Sequence, residues 1–107
     1  MIEYGDTFLK EAKQLGKKFK LLKTDLKVAI NEIESKNDIG IYLGYNLFKK
    51  RVINSSIPTG KSGGLRIIIY QQIPDKTVLI SIYSKTEKEN ISDYELIELL
   101  KTQPLYR

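Results

Sequence analysis

Two hydrophobic periods divide the chain. From Thr7 onward, Phe8, Ala12, Leu15, Phe19 and Leu22 recur at steps of three and four, the spacing that turns one stripe of a helix toward a core. The opposite face carries Lys10, Lys13, Lys17, Lys18, Lys20 and Lys23. Thr24 and Asp25 interrupt the stripe with capping chemistry; Leu26, Ala29, Ile30 and Ile33 resume it until Asn37, Asp38 and Gly40 stop a second helix. So short a turn predicts an antiparallel helical hairpin. After Gly44 the period falls to two, and residues 47–53, 66–72 and 77–84 read as strands. A tight turn at Pro74-Asp75 makes the last two antiparallel neighbours. Residues 1–5 have room for a short edge strand, and residues 54–64 read as an exposed loop. Ser92-Asp93-Tyr94-Glu95 is a capping box that opens a last helix, docked on the sheet by Leu96, Ile97, Leu99 and Leu100 and ended by Pro104. The expected class is α+β: an N-terminal helical hairpin packed on a small antiparallel β-sheet, with a C-terminal helix closing it.

At 107 residues the whole chain, 1–107, reads as one domain. It has no cysteine and no histidine, which removes disulfides, thiolate metal sites, cysteine nucleophiles and the commonest general base. Any catalyst here uses Lys, Arg, Tyr or carboxylates, and no metal or cofactor is expected. No apolar run approaches the ~20 residues of a membrane span, and the N-terminus lacks the pattern of an export signal, so the expected location is cytoplasmic.

Charge sharpens the picture. The net charge is +5, and it is polarised. Lys49, Lys50, Arg51, Lys61 and Arg66 lie between Ile39 and Pro74 with no carboxylate among them, whereas Glu87, Glu89, Asp93, Glu95 and Glu98 crowd around Lys88. A solvated basic face is one explanation and a polyanion partner is the other, since clustered Lys and Arg neutralise phosphates and release counterions. For the lysines of the first helix, solubility charge is the favoured reading. Ser55 to Ser62 imitates a nucleotide-binding P-loop, but Ser55 replaces the first glycine and a strand follows where a helix is required, so no nucleotide cofactor is expected. Gly60-Lys61-Ser62-Gly63-Gly64 instead lets backbone amides approach an anion as a nest does, or simply permits a hairpin or bulge. Strand alternation puts Lys49 with Arg51, Arg66 with Ile68 and Tyr70, and Ser81 with Tyr83 and Lys85. Where those faces coincide, Lys49, Arg51, Arg66, Tyr83 and Lys85 converge.

Phe48-Lys49-Lys50-Arg51-Val52, Gly60-Lys61-Ser62-Gly63-Gly64-Leu65-Arg66-Ile67-Ile68 and Ile82-Tyr83-Ser84-Lys85-Thr86-Glu87-Lys88-Glu89-Asn90-Ile91-Ser92 resemble the motifs of RelE-type toxins, in the HigB-like branch of the RelE/ParE superfamily. The resemblance extends over nearly the whole chain. It implies the toxin of a type II toxin–antitoxin system: an endoribonuclease that cuts mRNA in the ribosomal 30S A site, halts translation and is held inactive by a cognate antitoxin. Lys49 and Arg51 match the family's basic pair, Arg66 its arginine after the glycine turn, and Lys85 a C-terminal basic position. Lys50 stands where the family usually has an inward apolar residue. The catalytic tyrosine of RelE itself falls at Ile91 here, which leaves Tyr83 to take that role. ParE-like relatives, which poison DNA gyrase, and a non-catalytic nucleic-acid-binding module are the alternatives.

The chemistry follows from the residue types. RNA is cut when its 2′-hydroxyl attacks the adjacent phosphate, which requires removing that proton, stabilising the extra charge and protonating the leaving 5′-oxygen. Arg66, with Lys61 or Arg51, suits charge stabilisation because a planar guanidinium holds two phosphate oxygens. Lys49 or Lys85 is the candidate base, and Tyr83 is the acid, a base-stacking platform or a packed sheet residue. Lys50, Lys61, Ser62, Gly63 and Gly64 are the expected phosphate contacts. The reaction needs no metal.

Overall fold

The computed structural model describes residues 2–58, 64–88 and 90–101. Among them lie β1 (Ile2–Tyr4), α1 (Asp6–Lys18), α2 (Leu22–Lys36), β2 (Ile41–Gly44), β3 (Leu47–Val52), β4 (Leu65–Gln71), β5 (Thr77–Ser84) and α3 (Asp93–Lys101). The strands form one sheet in the order β1-β5-β4-β3-β2. The class is α+β, as the periods predict, but the sheet is mixed rather than antiparallel: β1 runs parallel to β5, Ile2 opposite Thr77. Such a pair needs a long crossover, and the chain from α1 through β4 supplies it.

Burial explains why β4 and β5 are central. Every residue of both strands is buried. On one face Phe8, Leu15, Leu22, Ala29 and Ile33 of the two helices pack on Val52, Leu65, Ile67, Ile69, Leu79 and Ile82. On the other, Leu96 with the half-buried Leu99 and Leu100 covers Leu47, Ile68, Tyr70, Val78, Ile80 and Tyr83. The β4–β5 register skips a residue, with Ile68 opposite Ser81 but Ile69 opposite Leu79. Ile80 is the extra residue of a bulge, which returns Tyr83 to the face that holds Val78 and Ile80.

Three local expectations need correction. The break between the helices lies at Phe19–Leu21, so Thr24 and Asp25 sit in the first turn of α2 and cap nothing. Asp25 is buried and instead accepts two hydrogen bonds from Ser55, backbone N–H to Oδ2 at 2.8 Å and Oγ to Oδ1 at 2.6 Å. The loop after β3 is therefore not wholly exposed: Asn54 is buried, and Ser56 Oγ accepts the Leu21 N–H at 2.9 Å. Ile97 faces solvent rather than the sheet. Sequence reasoning left residues 41–44 unassigned; they form β2, an edge strand with exposed Ile41 and Tyr42 and no half-buried alternation. It joins β3 through Tyr45 and Asn46, both left-handed at φ 55° and 60°, the twist a two-residue hairpin loop demands.

The end of α2 follows expectation. Asn37 is left-handed, and its N–H reaches Ile33 O at 3.0 Å while that of Asp38 reaches Glu32 O at 3.3 Å. At Gly40, φ is 86° and a Cβ would stand 2.1 Å from Lys49 O, so only glycine lets α2 turn into the sheet edge. The capping box of α3 is formed, Ser92 Oγ accepting the Glu95 N–H at 3.1 Å and Glu95 Oε1 the Ser92 N–H at 3.1 Å. Pro104 lies outside the described residues.

Candidate functional site

Pairing across three strands assembles the site. Arg51 of β3 stands opposite Arg66 of β4, which stands opposite Tyr83 of β5. Directly opposed residues share a sheet face, so these three form one cross-strand row. Lys49, opposite Ile68, lies two residues along the same face.

Arg66 is buried, and its Nη1 donates to Leu65 O at 3.1 Å. Burial lowers its pKa from the usual arginine value; Arg51 lowers it further, and Tyr83 opposes both. A guanidinium keeps its proton through such changes, so two permanent cations sit side by side on the strands. Tyr83 is also buried, and its hydroxyl has no hydrogen-bond partner among the described residues. Burial raises its pKa, against the pull of Arg66 and with a smaller push from Glu95. The phenol is therefore a protonated donor throughout the neutral range.

Two further groups reach this tyrosine from the C-terminal side. The Lys88 ammonium lies 5.5 Å from the centre of the Tyr83 ring and donates to Glu95 Oε2 at 2.5 Å. Glu95 is held below the usual carboxylate range, first by that hydrogen bond and then by the Ser92 N–H. Sequence reasoning read Ser92 and Glu95 only as a helix start. The signal it passed over was Lys88, seven residues before Glu95 and alone among carboxylates.

The remaining candidates divide. Lys50, expected to bind phosphate, is on the wrong face: opposite Ile67, it is buried toward α2, with Nζ 3.1 Å from Glu32 and 3.2 Å from Asp38. Period-two alternation requires this, because its neighbours Lys49 and Arg51 point the other way. Lys85 follows β5 directly, and its N–H donates to Gly64 O at 3.0 Å, extending the β4–β5 ladder by one rung. Lys61, Ser62 and Gly63 lie outside the described residues. Beside the row, a groove of about 590 Å³ runs between α1 and β5, lined by Lys10, Lys18, Glu11, Glu87, Gln14 and Tyr83 among others, so that its charges are mixed.

These features define a small α+β protein that presents a row of cations and a buried phenol on one sheet face, with a groove of mixed charge alongside. The family model described as the RelE toxin of the RelE / RelB toxin-antitoxin system matches residues 7–106, and the chain belongs to that family. It is thus a toxin of the RelE-like type II class, and membership implies an antitoxin partner. No curated protein matches the chain significantly. No helix among the described residues is long and apolar enough to cross a membrane.

Proposed function

We propose that the protein is a ribosome-dependent endoribonuclease that cleaves mRNA in the 30S A site, acts in the cytoplasm as one domain and is restrained by its cognate antitoxin. The observation that carries this reading is the row Arg51–Arg66–Tyr83: two guanidinium groups beside a protonated hydroxyl that has no hydrogen-bond partner among the described residues. Arg66 and Arg51 hold the scissile phosphate and stabilise the charge that builds on it as the 2′-hydroxyl attacks. Lys49 or Lys85 accepts the 2′-hydroxyl proton, and Tyr83 donates its own to the leaving 5′-oxygen. The atoms balance as a transesterification: the P–O5′ bond breaks, a 2′,3′-cyclic phosphate forms, and no metal or cofactor takes part. The phosphate-contact role expected from the sequence is kept for Lys61, Ser62, Gly63 and Gly64.

Primer extension on a defined mRNA, with and without translating ribosomes, tests the assignment. Cuts that require ribosomes and vanish in Arg66→Ala are expected. A toxin that halts growth without cutting mRNA in either condition removes the ribonuclease reading and makes DNA gyrase the target to assay.

A further inference from the structure

The pairing of Lys88 with Glu95 stands apart from the other surface ion pairs because it lies against the site. Glu95 uses its two oxygens differently: Oε1 accepts from the Ser92 N–H at 3.1 Å and from Ser92 Oγ at 3.2 Å, closing the start of α3, while Oε2 holds only Lys88 among the described residues. Removing Lys88 from Glu95 therefore leaves the capping box intact. The ammonium stands over the Tyr83 ring, 5.5 Å from its centre. Both side chains are about two-fifths open to solvent, 39% for Lys88 and 41% for Glu95. An ion pair so exposed is weak, and a phosphate displaces the carboxylate readily. The Tyr83 hydroxyl, buried with no hydrogen-bond partner among the described residues, belongs to the same ring over which that ammonium stands.

We propose that Lys88 is a phosphate-binding residue of this site, held by Glu95 in the free toxin and passed to an RNA phosphate when the strand enters. The proposal rests on the reading of the row as an RNA site. Glu95 then acts as a built-in competitor: it keeps the ammonium positioned beside Tyr83 and gives it up only to a stronger anion. A purely structural pair has a different signature, since loss of either partner then weakens the same helix. Here the two losses have opposite signs.

The experiment measures binding of a labelled single-stranded RNA oligonucleotide to the full-length toxin across a salt series, with thermal melting of each variant as the folding control. Lys88→Gln is expected to weaken binding and to reduce the slope of log affinity against log salt by about 0.7, the loss of one phosphate contact on a single strand. Glu95→Gln keeps an oxygen for the capping box and is expected to tighten binding about two- to fivefold by freeing the ammonium. Weaker binding in both variants, an unchanged slope in Lys88→Gln, or a wild-type protein that does not bind the oligonucleotide overturns the proposal. If the two variants diverge as expected while wild-type toxin cuts no mRNA on ribosomes, the ribonuclease reading fails and the phosphate assignment stands.

Discussion

A buried hydroxyl without a partner works against the fold, and Tyr83 carries one. Leaving such a group unsatisfied costs about 1–3 kcal/mol, so Tyr83→Phe is expected to leave the urea midpoint unchanged or raise it. Loss of the acid is expected to slow cleavage about 100-fold or more in the same variant. A fall in both stability and activity points instead to a packing role. The raised pKa of Tyr83 adds a pH test. Below the ordinary tyrosine value of 10.0 the phenol is protonated in both states and its contribution is constant. Above that value the unfolded chain ionises first, so stability falls as pH rises toward the folded pKa. Tyr83→Phe removes that part of the alkaline loss, which denaturation at a series of alkaline pH values measures. Its neighbour Arg66 is tested by geometry rather than charge. Arg66→Lys keeps a cation but not the bidentate fork, and is expected to reduce ribosomal cleavage about 100-fold while oligonucleotide affinity changes little. Near-normal cleavage by that variant removes Arg66 from the chemistry.

At the scale of elements, one strand separates chemistry from architecture residue by residue. On β3, Lys49 and Arg51 face the row, while Lys50 is clamped by Glu32 and Asp38 across the sheet. Those carboxylates are half-exposed and regain water when the ammonium is removed, so the substitution strands no buried charge, and a methionine refills the space of the lysine stem. Lys50→Met is therefore expected to leave both the melting temperature and ribosomal cleavage near the wild-type values, whereas Arg51→Met is expected to lose cleavage. Alternation alone was enough to separate Lys50 from its neighbours. What alternation could not supply was the direction each strand faces, because that depends on the bulge at Ile80 and on which face the helices cover. The helices were legible for the same reason as the strands, a period that burial enforces. Asp25 was misread because a cap and a tertiary anchor use the same carboxylate chemistry, and its partner Ser55 lies thirty residues away. β2 left no mark because an edge strand with exposed residues lacks the alternation that reveals a strand.

At the scale of the molecule, the parts that the proposed ribonuclease requires are unevenly supplied. Charge stabilisation has two guanidinium groups on adjacent strands, and the acid has a buried phenol. Deprotonation of the 2′-hydroxyl falls in the proposed mechanism to a lysine, in a chain without histidine. A general base matched to neutral pH contributes about 10²–10⁴-fold, so an enzyme without one must recover the rate through placement of the substrate. Holding the 2′-oxygen in line with the scissile bond is the kind of orientation a large assembly can impose on mRNA, and such positioning rivals acid–base catalysis in magnitude. Single-turnover cleavage of the same sequence, on programmed ribosomes and as a free oligonucleotide, measures it. The free RNA is expected to be cut at least about 100-fold more slowly. With placement supplied by the ribosome, the rate on ribosomes is expected to fall at alkaline pH where Tyr83 begins to ionise, above the ordinary tyrosine range. Equal rates on the two substrates mean that the protein orients the 2′-hydroxyl and tunes its base unaided, and the division of labour argued from the missing histidine does not hold.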